Sequence, residues 1–163
     1  MRETASAALA LCALAALAGR ADDPEPPDDK KAELKKLKGT WAITRVVMEG
    51  KEWKQRSDTT YAFDGNKLVA TTTAFAEGKG KFESTESFKV KIDTKKKPHT
   101  IDLVPDGKYP GLMGIYKIEK GELYIAKGWR EGIGKAAKVV RPKDFKGDGV
   151  GVYVLTREKD KAK

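Results

Sequence analysis

From Gly39 to Arg157 polar and apolar residues alternate with a period of two, in short runs separated by turn-forming residues. Successive side chains on a strand point to opposite faces, so this pattern suits half-buried strands. A helical domain would repeat its apolar residues every three or four positions, and no long stretch here does so. Strands are expected at Thr40–Met48, Thr60–Phe63, Lys67–Phe75, Phe82–Ile92, Thr100–Val104, Met113–Ile118, Glu122–Lys127 and Val150–Arg157. The breaks hold Glu49-Gly50, Asp64-Gly65-Asn66, Glu77-Gly78-Lys79-Gly80, Lys95-Lys96-Lys97-Pro98, Asp106-Gly107 and Lys120-Gly121, all suited to turns. About eight strands so joined form an all-β antiparallel meander that curls shut to relieve its edges, giving an up-and-down barrel. A two-sheet sandwich shares that strand count and spacing and stays open as the alternative.

The alternation assigns an inward face to Trp41, Ile43 and Val47; Phe88, Val90 and Ile92; Ile101 and Leu103; Tyr116 and Ile118; Leu123 and Ile125; and Tyr153 and Leu155. Their neighbours are mostly Lys, Glu, Asp and Thr, so a one-residue slip would bury charge. The register is less constrained around Thr71, Thr72 and Thr73. Ahead of the strands, Asp29 is placed to cap a short helix over Ala32–Leu37, stopped by Gly39, with Leu34 and Leu37 on one face.

A length of 163 residues suits one domain. Residues 1–18 have Arg2 near the start, a short apolar run and Ala16-Leu17-Ala18, the pattern of a cleavable signal peptide rather than a membrane span. Residues 19–29, rich in Pro and Asp, describe a linker, and residues 30–163 the barrel domain with a charged C-terminal tail. The expected address is export, to the periplasm or beyond, with no transmembrane span in the mature chain. The only cysteine, Cys12, falls in the apolar run, so the mature chain is expected to lack disulfides, thiolate nucleophiles and Cys-bound metal. Net charge is +9, but only seven of 33 basic residues are Arg. Scattered Lys describes a solvated surface rather than specific nucleic-acid recognition, which favours bidentate Arg and interleaved aromatics.

Gly39-Thr40-Trp41 opens the first strand directly after a short helix, and Arg157 closes the last strand. This arrangement resembles the lipocalin and lipocalin-like barrels. The resemblance implies that Trp41 closes the barrel floor and Arg157 packs across it, a cation–π contact worth up to about 2 kcal/mol when shielded. The ordered motifs Leu37-Lys38-Gly39-Thr40-Trp41, Gly114-Ile115-Tyr116-Lys117-Ile118, Gly121-Glu122-Leu123, Arg141-Pro142-Lys143-Asp144-Phe145 and Thr156-Arg157 are similar to a family of small secreted domains abundant in planctomycetes, largely uncharacterised. A second lipocalin signature of the Thr-Asp-Tyr type is absent.

His99, the only histidine, lies beside a turn and has no second imidazole to share a metal with. The acid pairs Asp22-Asp23 and Asp28-Asp29 fall in the linker, where nothing fixes catalytic geometry. No catalytic set and no cofactor are expected, and the protein is expected not to be an enzyme. The segment Gly128–Gly149 lacks a clear strand. Arg141, Pro142 and Phe145 in it suit packing onto the barrel, whereas Trp129 suits packing and recognition equally. Trp53 and Tyr61 sit where a barrel mouth would place them, although an aromatic lid over the core explains them as well; with Phe88 and Tyr116, which face the interior, and Trp129 they are the candidate ligand-binding residues. Gly39, Trp41, Arg141, Pro142, Phe145 and Arg157 are the structural signature. The function expected is that of an exported, monomeric binding module for a small apolar or amphipathic molecule. The alternative is a protein-interaction module, such as a protease inhibitor or adhesin, engaging an envelope protein or polymer.

Overall fold

Chain order in the computed structural model is α1 (Asp28–Leu37), β1 (Gly39–Met48), β2 (Lys51–Trp53), β3 (Ser57–Asp64), β4 (Lys67–Ala76), β5 (Gly80–Asp93), β6 (His99–Pro105), β7 (Leu112–Glu119), β8 (Glu122–Lys127), β9 (Trp129–Glu131), β10 (Lys138–Val140) and β11 (Gly151–Arg157). The structure describes residues 27–53, 57–76, 80–106, 111–131, 138–146 and 150–158. The expected signal segment and most of the linker therefore lie outside the described residues. No described helix is long and apolar enough to cross a membrane.

Neighbouring strands run β1, β3, β4, β5, β6, β7, β8, β11 and back to β1, all antiparallel: a closed barrel. Closure rests on a β1–β11 ladder from Trp41↔Arg157 to Met48↔Gly151. The alternation, which a sandwich could also share, closes on itself as the expected barrel, leaving no open edge along most of the wall. All eight expected strands are present, with ends differing by up to three residues. The threonines at 71–73 pair in full with both β3 and β5, their register fixed by Leu68↔Phe63 and Leu68↔Phe88 below them.

The interior is packed at the end where β1 begins. Leu34, Leu37, Trp41, Ile43, Phe63, Leu68, Val90, Ile92, Ile101, Leu103, Tyr116, Leu123, Ile125 and Leu155 form one buried cluster. One inward assignment is corrected: the β1–β11 register shifts between Ile43 and Arg45. That bulge advances the pleat by one residue, so Val46 packs on the interior cluster and Val47 joins an outer one with Ile115, Ala126, Val150 and Val152.

The helix plugs the packed end with Leu34 and Leu37. Trp41 Nε1 donates to Leu37 O at 2.7 Å, and Arg157 Nη2 donates to Lys36 O at 2.8 Å. Both satisfy carbonyls that a helix C-terminus leaves without partners. Asp29 is not the cap. Pro27 occupies that position without a side-chain hydrogen bond, and Asp29 Oδ2 accepts from Thr94 Oγ1 at 3.0 Å, tying the helix to the β5–β6 turn. The helix begins at Asp28, inside the stretch expected to be linker, because proline's fixed φ suits a helix start and its missing N–H costs nothing there. It ends at Leu37, with Lys38 rather than Gly39 as its C-cap.

Candidate functional site

At the opposite end the same inward faces continue but no longer fill the lumen. A cavity of about 500 Å³ opens there, lined by Thr59, Tyr61, Ala70, Thr72, Glu86, Phe88, Leu103, Gly111, Leu112, Lys127 and Gly128. Each strand contributes by parity. Thr59 and Tyr61 stand above Phe63 on β3, Ala70 and Thr72 above Leu68 on β4, Glu86 and Phe88 above Val90 on β5, and Lys127 above Ile125 on β8. The packed cluster is the floor of this cup.

The wall changes its pairing at the cavity. β1 pairs with β3 only through Gly39–Ala42, then exchanges it for β2 at Val46–Met48. β6 leaves β5 at Phe88↔Pro105, where proline has no N–H to extend the ladder. The upper parts of β3, β4 and β5 consequently rise past their neighbours as a three-stranded flap, and β5 is exposed from Gly80 to Ser87.

The lining is amphipathic. Phe88, Leu103, Leu112 and Ala70 supply apolar wall, and the Thr59 and Thr72 hydroxyls are 3.2 Å apart. Burial, with smaller contributions from Tyr153 and Glu86, pushes the Tyr61 phenol up to about 12, so it stays a protonated donor at neutral pH. Lys127 Nζ lies 5.6 Å from the Tyr153 ring centroid. Glu86 and Lys127 are the ionisable acid and base of the lining. Neither forms an ion pair with a described residue. Gly111 and Gly128 keep the mouth low: a Cβ at Gly111 would come 2.3 Å from Leu103 O, and one at Gly128 2.4 Å from Val140 O.

Of the residues singled out from sequence, Tyr61 and Phe88 meet in this cavity. Tyr116 does not reach it. It is 1 % exposed within the floor, beside the His99 ring at 5.7 Å, and burial followed by the Glu33 carboxylate raises its phenol pKa. Trp53 is 59 % exposed on β2, away from the lining. Trp129 opens β9, which pairs with β10; its side chain lies outside the described atoms. The stretch expected to lack strands thus contains a two-stranded ribbon, too short for its alternation to register.

Thr59, Thr72, Glu86, Leu112 and Lys127 also line it and were not among the candidate site residues from sequence. Their signal was parity, since Glu86 shares a face with Phe88, and Lys127 with Ile125. Lysines and glutamates read as surface because surface is where most of them lie.

The other signature residues lie elsewhere. Arg157 is 4.5 Å from the Trp41 ring centroid under the floor. Arg141 donates to Gly114 O and, at 2.6 Å, to Asp102 Oδ1; Pro142 is buried and Phe145 packs on the outer cluster. That segment is bound to the outside of β6 and β7. Beside Phe145 lies an outer groove of about 440 Å³, formed with Val47, Glu49, Lys146, Val150 and Val152. His99 Nδ1 is 3.8 Å from Glu33 Oε1, and its Nε2 is 3.1 Å from Lys97 Nζ. Among the described residues no group of three or more His, Cys, Asp and Glu side chains gathers to hold a metal ion.

Compared with protein-family models and with curated proteins, the chain matches none.

Proposed function

We propose that the protein is an exported, non-catalytic binding module that takes one small amphipathic molecule into the open end of its barrel. The observation that carries this reading is the unfilled upper lumen. Its volume of about 500 Å³ falls in the range of small-molecule sites, and its apolar walls carry a few polar groups able to orient a guest. A barrel whose only task was rigidity would fill its lumen throughout, as this one does below Phe88. Export rests on the signal-peptide pattern of residues 1–18, and the similarity to small secreted planctomycete domains belongs to the same reading.

The test is a titration of the purified protein with a neutral solvatochromic amphiphile, repeated on Thr72→Trp, which inserts an indole into the cavity without touching the floor. Saturable one-to-one binding, weakened about tenfold or more by Thr72→Trp at unchanged unfolding temperature, is the expected result. Equal binding by both proteins, or none by either, would refute it.

A second reading, engagement of an envelope protein or polymer, draws on Trp53 and on Phe82, which is 53 % exposed on the flap. Aromatic side chains exposed near one rim are the kind that anchor protein interfaces.

A further inference from the structure

The two ionisable groups of the cavity bear on which guest it takes. Outward lysines and glutamates are ordinary on this protein, but Glu86 and Lys127 hold inward positions, continuing the faces of Phe88, Val90 and Ile92 and of Leu123 and Ile125. They project from β5 and β8, with β6 and β7 between them, so they face the mouth from well-separated parts of the wall. Along the ladders Lys127 lies level with Gly114, Ile101 and Ile92, six residues from Glu86 on β5, so the two stand apart along the strands as well as across three strand spacings and are not neighbours in the sheet. Among the described residues Lys127 lies over the Tyr153 ring and pairs with no carboxylate, and no cation pairs with Glu86. Both residues are exposed and, among the described residues, both charges are open to a guest, one of each sign, with Phe88, Leu103 and Leu112 in the same lining.

Resting on the proposed binding reading, we infer that the guest is a small zwitterion with an apolar body, its anionic end at Lys127, its cationic end at Glu86 and its apolar part on Phe88, Leu103 and Leu112. An apolar dipeptide is the simplest guest of this kind, with one charge of each sign at its two ends and an apolar body between them. A purely apolar guest would leave both charges partly desolvated without partners, a cost that a zwitterion avoids. A fatty-acid-like anion would satisfy Lys127 and set its own charge against Glu86 across the mouth.

The experiment uses one body in four charge states: leucyl-phenylalanine, its N-acetyl form, its C-terminal amide and the doubly blocked form. Each is titrated calorimetrically into the wild-type protein, Lys127→Gln and Glu86→Gln at low salt, with the neutral amphiphile as a control guest. The expected result is tightest binding of the free dipeptide, about fivefold lost for each blocked terminus. Lys127→Gln should remove the difference between the free dipeptide and its amide, and Glu86→Gln that between the free dipeptide and its N-acetyl form. Lys127→Arg should retain the preference. Equal binding of all four forms, a preference for a singly charged form, or binding of the amphiphile but of no dipeptide would overturn the zwitterion inference and leave the binding reading standing. Failure of dipeptides and amphiphile alike would remove both.

Discussion

At Gly39 the backbone has φ +116°, and a Cβ built there would come 2.9 Å from Arg157 Nη1. The glycine of the G-x-W pattern is thus required twice, by its left-handed backbone and by the arginine that reaches past it to the helix carbonyls. Gly39→Ala should destabilise the fold by about 1–3 kcal/mol, measured by chemical denaturation, with Arg157→Ala restoring space but not backbone ease. Tyr61 gives a pH signature. Its folded-state pKa is raised above the ordinary value of 10.0 to about 12, so its contribution to stability is whole below pH 10 and is lost as pH climbs toward 12. Thermal unfolding across that window should show a smaller alkaline loss in Tyr61→Phe than in the wild type. Single residues also show where sequence patterning misleads. Val47 follows the alternation from Trp41 and Ile43 yet faces outward, because nothing in Thr44 announces a bulge.

At the scale of elements, α1 acts as a plug rather than a free helix. It is too short to be stable alone, and its Leu34 and Leu37 face the floor while Trp41 and Arg157 hold its last carbonyls. Leu37→Ala should cost about 2–5 kcal/mol, far more than any exposed position of α1, in the same denaturation measurement. The flap has the opposite problem. From Gly80 to Ser87, β5 pairs only with β4 among the described residues, leaving a free strand edge next to exposed Phe82. Lys81 and Glu83 are the charges that discourage a second chain from pairing there. Replacing both with valine should raise the mass measured by light scattering above that of the wild type; unchanged mass would show that the edge is covered. The barrel strands themselves were legible because each is long enough for period two to show. β2, β9 and β10, at three residues each, were not.

For the whole molecule, closure and openness come from one pattern. Eight strands of alternating sequence close because the β1–β11 ladder removes the last edges, and the same inward face is apolar at the helix end and mixed at the other. The packed half was readable from Trp41, Val90, Ile101, Leu123 and Leu155, whose hydrophobicity declares their direction. The open half was half-readable: Tyr61 and Phe88 pointed to it, whereas Glu86 and Lys127 carry the composition of surface and reveal themselves only through register. Whether a lumen is filled depends on the side chains that neighbouring strands bring to one level, which spacing along a single strand does not specify. Entry of a guest at the open end, to rest on the packed floor, is read out by amide chemical-shift mapping of the protein during titration with the neutral amphiphile. Shifts concentrated at Thr59, Tyr61, Thr72, Phe88, Leu112 and Lys127, with Trp41 and Leu123 unmoved, are the predicted result. Shifts confined to Val47, Phe145 and Val152 would place the guest in the outer groove and contradict it.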